Sequence, residues 1–289
     1  MNTTLLSIVL GIGGMFGWGI YDFLGGVFSK RIGSFRSLFW SQAAGLVFIL
    51  LLAAVLGTEL HLPVLALVLS PAAAIMYSLG YLFFFKGFEK GNVSIIAATM
   101  NLWAVFTMFF AFVFMGQRLT AAQMLGVFMI LSGATLTSMD WNSIREKGLQ
   151  LSLGVREAIL GAFFFGIFWN ISEIISEQIG WLSTTLLVKF GIVLFLLIAS
   201  VFIKQEVRLV KSSAQTKYVI LLMGLIEVIA VALVNYGLTI GDAILITPIA
   251  SALSIVTIAL AVLVLKEKVS RLQGLGIITA IVGIVVTAL

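Results

Sequence analysis

The residues that could do chemistry in this sequence are acidic side chains inside apolar stretches. Glu227 follows Leu222 to Ile226 and precedes Val228 to Ala232. A charged side chain is costly in hydrocarbon and usually faces a cavity or a partner. Because desolvation disfavours the charged form of a carboxylate, Glu227 needs a cation or a hydrogen-bond donor beside it. A proton carrier and a substrate anchor both remain open as its role.

Two further acids each follow a tryptophan by four residues. Trp18 precedes Asp22, and Trp169 precedes Glu173. Positions i and i+4 share a helix face, so each pair presents an aromatic ring and a carboxylate in one direction. Both tryptophans fall near the middle of an apolar stretch, which predicts a central cavity with one acid on each side of its middle. The alternative is that the tryptophans belong to interfacial belts and the acids are solvated.

One cation, Lys189, lies within an apolar stretch at a depth close to that of Glu173. This placement predicts an ion pair between the two residues, which would leave Asp22 and Glu227 as unpaired acids. Their negative excess favours a cationic substrate or proton coupling. Aromatic faces attract cations, and amides supply hydrogen bonds without charge. We therefore add Tyr77, Tyr81, Asn101 and Asn235 to the predicted substrate-binding or coupling residues.

The composition places these side chains in a membrane. Hydrophobic residues make up 61% of the 289 residues, charged residues make up 10%, and mean hydropathy is +1.20. A soluble domain has far more charged residues. With no cysteine and only one histidine, His61, the sequence excludes thiol chemistry and disfavours a metal site. The net charge of +5 is scattered over short breaks, so nucleic-acid binding is not predicted. No cofactor is predicted.

The apolar runs match the ~20 residues that a helix needs to cross a bilayer. We predict an all-α integral membrane protein whose long polar segment 140–155 separates a first half, 1–139, from a second half, 156–289. The ten predicted transmembrane helices cover residues 5–27, 36–57, 64–86, 93–115, 120–139, 156–178, 182–203, 218–239, 243–265 and 270–288.

The two halves carry one pattern. Position 91 matches position 241, and at this offset of 150 the stretch from Gly91 to Gly133 matches that from Gly241 to Gly283 without a gap. Tyr77 matches Glu227 in the same register. Five helices per copy, an odd number, mean that the second copy enters the membrane from the opposite side. We therefore predict two inverted five-helix repeats.

Positive residues mark one side of the membrane. The breaks after helices one, three, five, seven and nine hold all Lys and Arg residues except Arg118 and Lys189. Because Lys and Arg accumulate in cytoplasmic loops, both termini are predicted to lie outside a cell membrane. No signal peptide is predicted.

The sequence resembles the drug/metabolite transporter superfamily, in particular its EamA-like ten-helix branch. The resemblance covers the whole chain, although Ala98 stands where the family has a proline and Gln117 where it has a glutamate. The residues that carry it are Gly17-Trp18-Gly19 in the first helix, and Pro248, Glu267, Gln273, Gly276 and Gly283 in the second half.

The resemblance implies secondary transport of a small polar metabolite by alternating access, and the acids favour an amino acid, an amine or an organic cation. Proton coupling remains open, as do a monomer and a homodimer. Family members commonly have cytoplasmic termini, in conflict with the charge distribution. The alternatives are a carrier of sugars or nucleosides, a membrane-embedded enzyme that uses an intramembrane carboxylate, and a channel.

Overall fold

The computed structural model describes residues 3–57, 62–114, 116, 120–138, 151–209, 213–240, 250 and 252–287. His61, Gln117, Arg118, Pro248 and residues 140–150 of the predicted linker lie outside these ranges. The described helices are α1 Thr3–Ile32, α2 Ser34–Val55, α3 Val64–Lys90, α4 Val93–Met100, α5 Leu102–Phe114, α6 Ala121–Ser138, α7 Val155–Phe202, α8 Ala214–Ile240, α9 Leu253–Val264 and α10 Arg271–Thr287.

The fold is an all-α membrane protein, as predicted. Within the described part of the chain, five helical stretches are long and apolar enough to cross a membrane: Ser34–Val55, Val64–Lys90, Val93–Phe114, Val155–Phe202 and Ala214–Tyr236. Met124–Thr137, Leu253–Val264 and Arg271–Val286 are shorter apolar helices. The count of ten spans stays a prediction.

Helix α1 is longer than the sequence indicated. It was expected to end at residue 27, before Lys30 and Arg31, but these two residues form its last turn. Cations are favourable there because they face the negative end of the helix dipole. The chain turns only at Gly33, whose φ of 91° is a conformation that glycine adopts without steric cost.

Two predicted helices, 156–178 and 182–203, are joined in α7 without a loop. The only non-helical residue between them is Gly180, with φ 76° and ψ 166°. A single glycine therefore makes the turn for which the sequence suggested a short connection. We call residues 155–179 the first arm of α7 and residues 181–202 its second arm.

The predicted fourth helix, 93–115, is interrupted. Asn101 separates α4 from α5, and it donates its backbone N–H to the Ala98 carbonyl at 3.3 Å while its own carbonyl accepts from the Ala104 N–H at 3.2 Å. These i to i+3 bonds form a tight turn in place of a regular α-helical turn. In the second half, α9 begins at Leu253, two residues after the position that matches Asn101. Interrupted helices are typical of transporter binding regions.

Helices α6 and α10 show how the two halves are related. A Cβ atom placed on Gly133 would lie 2.5 Å from the Gly276 carbonyl oxygen, and one placed on Gly283 would lie 2.8 Å from the Gly126 carbonyl oxygen. In the repeat, Gly126 matches Gly276 and Gly133 matches Gly283. The contact between Gly133 and Gly276 is therefore repeated, with the halves exchanged, as the contact between Gly283 and Gly126. The pairs run in opposite directions along the two helices. A two-fold axis perpendicular to the helices produces this exchange, in agreement with inverted repeats.

We predict that Gly276→Ala destabilises the protein and that Gly274→Ala, two residues away on α10, does not. The added methyl at position 276 would lie 2.5 Å from the Thr137 hydroxyl and 2.7 Å from the Gly133 carbonyl, whereas nothing lies within 4 Å of one at position 274. Overpacking of this kind costs on the order of 1–3 kcal/mol. Thermal unfolding of both purified variants checks this, and equal midpoints would contradict the close approach of α6 and α10.

Candidate functional site

A cavity of about 80 Å³ lies where α1, α3, both arms of α7 and α8 meet, with α4, α5 and α9 completing its wall. At ~15 Å³ per water, it has room for roughly five waters or one small molecule. Eight of the ten residues predicted from the sequence line it: Trp18, Asp22, Tyr77, Tyr81, Trp169, Lys189, Glu227 and Asn235.

A buried ion pair crosses this cavity. The Lys189 ammonium contacts one oxygen of Glu227, and both side chains are buried. The Tyr77 hydroxyl donates to the other oxygen of Glu227 at 2.5 Å, and Lys189 donates to the side-chain oxygen of Gln42 at 2.7 Å. The Lys189 nitrogen also lies 5.8 Å from the centre of the Tyr77 ring. Glu227 thus has the cation and the donor that a carboxylate at this depth requires.

The predicted ion pair between Lys189 and Glu173 is wrong, and so is the expectation that Glu227 is unpaired. Glu173 is exposed and does not line the cavity, where its neighbour Ser172 lies instead. The prediction rested only on the similar depth of Lys189 and Glu173 along their helices. Which residue of the first arm of α7 faces inward depends on the rotation of the helix about its axis, and the spacing of residues in the sequence does not determine that rotation. The cavity therefore does not have one acid on each side of its middle.

The hydroxyl groups of Tyr21 and Ser41 position the Gln42 side chain. Its amide nitrogen donates to the Tyr21 hydroxyl at 3.0 Å, and that hydroxyl lies 3.0 Å from the Ser41 hydroxyl. All three side chains are buried. Gln42 thus presents its oxygen to Lys189. The sequence analysis missed Gln42, although an amide inside an apolar helix is the same kind of signal that selected Asn101 and Asn235.

Among the described residues, Asp22 differs from Glu227 in forming no ion pair. It is 3% exposed, and its Oδ1 atom makes no hydrogen bond within the described part of the chain. The Tyr81 hydroxyl lies beside the same carboxyl group. A buried carboxylate without a cation is costly, so Asp22 is the group in the cavity with the most to gain from a ligand.

Three tryptophans form the wall next to Asp22. The ring centres of Trp18 and Trp169 are 5.8 Å apart and nearly perpendicular, and Trp103 also lies 5.8 Å from Trp169. Trp18 and Trp169 begin the Trp-x-x-x-acid pattern of the two halves, at an offset one residue longer than the 150 of the repeat, so their contact lies close to the two-fold axis. The contact of Tyr77 with Glu227, whose positions differ by 150, lies near the axis for the same reason. The interfacial-belt alternative for Trp18 and Trp169 is therefore wrong.

Of the two amide residues predicted from the sequence, only Asn235 lines the cavity. The Asn235 amide donates to the Thr185 hydroxyl at 3.1 Å, and both residues line the cavity. Asn101 is buried at the break between α4 and α5 but does not line the cavity. The sequence analysis did not select the hydroxyl and apolar lining residues, because such side chains are common throughout membrane helices. These residues are Phe84, Met100, Trp103, Phe165, Phe168, Ser172, Thr184, Thr185, Val188, Ile192, Val231 and Leu253.

The basic side of the protein holds polar contacts between the two halves. Glu267, in the segment between α9 and α10, accepts from the backbone N–H groups of Val93 and Ser94 at 2.8 and 2.9 Å and from the Ser94 hydroxyl at 2.9 Å. An acid at a helix N-terminus satisfies free N–H groups and faces the positive end of the dipole. Two ion pairs, Lys90 with Glu157 and Arg36 with Glu206, also join the halves on this side.

Within the described ranges, no group of three or more His, Asp or Glu residues could hold a metal ion. The polar groups of the cavity are instead a carboxylate, a neutralised ion pair, hydroxyls and an amide, which can bind an organic molecule by charge, hydrogen bonds and ring contacts.

An all-helical membrane protein whose two repeats enclose a polar cavity has the architecture of a transporter. The EamA-like transporter family matches residues 5–139 and 152–289, and the chain belongs to this family. No curated protein matches the sequence. Among the solved structures, 28 chains match. One crystal structure has 15% sequence identity and a TM-score of 0.69 over 98% of each chain, a similarity that shows the fold alone.

We predict that Lys189→Met destabilises the protein more than the double variant Lys189→Met/Glu227→Gln. The single change leaves a buried carboxylate without its cation, which costs about 3–5 kcal/mol, whereas removing both charges avoids that cost. Chemical denaturation in detergent measures the difference. Glu173→Gln serves as the control and should leave stability unchanged. If Lys189→Met/Glu173→Gln were more stable than Lys189→Met/Glu227→Gln, the result would contradict the Lys189–Glu227 pair and support the Lys189–Glu173 pair first expected from the sequence.

Proposed function

We propose that this EamA-family protein is a secondary active transporter that moves a small amine, organic cation or amino acid across the cell membrane by alternating access. The observation that carries the proposal is the buried Asp22 carboxylate, which lines the central cavity and has one oxygen, Oδ1, without a hydrogen-bond partner among the described residues.

The balance of charge in the cavity favours a positive ligand. Among the described residues, its charged lining residues are Asp22, Lys189 and Glu227. Lys189 neutralises Glu227 through their ion pair, so an ionised Asp22 would give this part of the cavity an excess negative charge. A cationic group would neutralise that charge, while an anion would have to separate Lys189 from Glu227 first.

The rest of the lining suits an organic cation. Aromatic faces stabilise ammonium groups by about 0.5–2 kcal/mol, and Trp18 lies one helical turn before Asp22 on α1. Thr185 and Asn235, which also line the cavity, offer hydrogen bonds to a polar substituent such as the carboxylate of an amino acid. The volume of about 80 Å³ restricts the substrate to a small molecule.

Alternating access requires that the two halves separate on one side and close on the other. The Glu267 contacts with Val93 and Ser94 join the halves on the basic side and would break when that side opens. A proton on Asp22 would neutralise the empty site during the return step. This exchange would couple the movement of the cation to that of a proton in the opposite direction.

A neutral carrier for sugars or nucleosides is the second candidate, because ring walls such as Trp18 and Trp169 also stack on sugar rings or bases. A carboxylate-based enzyme would turn over its substrate in detergent, whereas a carrier concentrates it in sealed vesicles. Oligomeric state does not distinguish these candidates.

We predict that Asp22→Asn lowers the affinity for a cationic ligand by roughly ten- to hundredfold, the value of a hydrogen bond to a charged group. Purified protein is first screened for thermal stabilisation by choline, small amines, amino acids, nucleosides and sugars. Uptake of the best ligand is then measured in proteoliposomes. Glu173→Gln, which changes an acid outside the cavity, is the matched control. A nucleoside or sugar ligand that Asp22→Asn binds as well as wild type does would contradict the cation proposal.

We further propose that both termini lie outside the cell, on the strength of the Lys and Arg distribution. The native chain has no cysteine, so single cysteines report their side without background. Asn2→Cys should react with a membrane-impermeant maleimide in intact cells, and Lys268→Cys only after permeabilisation. The reverse pattern would place the termini in the cytoplasm.

A further inference from the structure

A second cavity, of about 620 Å³, lies between α2 and α8 near the basic side of the protein. Its volume falls within the range of about 300–1,000 Å³ that is common for ligand sites. We call it the α2–α8 groove. It is lined by Trp40, Ala43, Ala44, Val47, Arg208, Leu209, Lys217, Ile220 and Leu221.

The wall of the groove is apolar and its outer edge faces lipid. Val47 on α2 is 56% exposed and Leu221 on α8 is 53% exposed. Ala43 and Ala44 also line the groove and have small side chains. Because these helices lie in hydrocarbon, the exposed apolar edge opens the groove to the acyl chains of the bilayer.

The polar end of the groove is positively charged. Arg208 and Lys217 line it and are exposed, and neither forms an ion pair within the described residues. The nearby acid Glu206 is already paired with Arg36 at 3.1 Å. The two cations of the groove therefore have no acid that offsets them in the described structure.

The depth of the groove matches the membrane interface. The Trp40 ring donates its N–H to the Val207 carbonyl at 2.6 Å, which attaches the segment carrying Arg208 to α2. Tryptophan is favoured at the level of the lipid headgroups. Lys217 lies in the first turns of α8, whose apolar residues continue from there into the membrane.

We infer that the α2–α8 groove binds one anionic phospholipid from the leaflet on the basic side. The phosphate lies at Arg208 and Lys217, and an acyl chain lies along Ala43, Val47 and Leu221. Basic pockets between transmembrane helices on the cytoplasmic side recognise acidic headgroups in this way. The site is separate from the central cavity, so its failure would not affect the proposed transport of a cation.

Native mass spectrometry of the full-length protein tests this inference. Wild type, purified with mixed phosphatidylglycerol and phosphatidylcholine, should retain phosphatidylglycerol preferentially. Each basic residue near the surface contributes about 1 kcal/mol to the binding of anionic lipid, so Arg208→Gln/Lys217→Gln should bind it about thirtyfold more weakly. The matched control is Lys268→Gln/Arg271→Gln, which removes two exposed cations of the same side outside the groove.

A third variant distinguishes lipid binding in the groove from a general electrostatic attraction of anionic lipid to the basic side. Ala43→Leu keeps both cations and fills the apolar part, so it should also lose the lipid while retaining a wild-type circular dichroism spectrum. Equal lipid loss in the Arg208/Lys217 and Lys268/Arg271 double variants would overturn the inference. Retention of the lipid by Ala43→Leu would also overturn it. The same holds if Val47→Cys cross-links two copies of the protein into a dimer that carries no lipid, because a second copy would then cover the groove.

Discussion

The ion pair between Lys189 and Glu227 is the interaction on which the arrangement of the cavity depends. Separating either charge from the other inside the membrane would be costly, so the second arm of α7 and α8 must keep these residues together. Tyr77 and Gln42 satisfy the remaining polar atoms and thereby join α3 and α2 to the same pair. Four helices are thus fixed around one neutral group. The charge that remains for a ligand is that of Asp22.

The two-fold relation of the halves explains where the cavity lies but not its charge. Trp18 and Trp169 meet near the axis, and the glycines of α6 and α10 exchange contacts across it. The charge does not follow this symmetry, because the position that matches Asp22 at the offset of 150 is the uncharged Ser172, which also lines the cavity. A symmetric scaffold with an asymmetric site can open to either side by similar movements while binding its substrate on one set of residues.

The sequence predicted the all-α membrane fold well because the length of an apolar helix is a strong constraint in a membrane. It also identified most of the charged and aromatic residues of the cavity, since a charge such as Glu227 is retained in hydrocarbon only with a partner. It assigned the wrong partner to Lys189, because depth along a helix follows from counting residues whereas rotation and helix packing do not. The break at Asn101 was also missed, since a local tight turn in an apolar segment leaves no change in composition.

We expect the Lys189–Glu227 pair to stay intact while Asp22 holds the cation. An experimental structure of the protein with the tightest-binding ligand from the screen would test this most directly. It should show a positively charged nitrogen against the Asp22 carboxylate, next to Trp18, with Lys189 still on Glu227. A ligand carboxylate on Lys189 with Glu227 displaced, or a ligand bound without contact to Asp22, would contradict it.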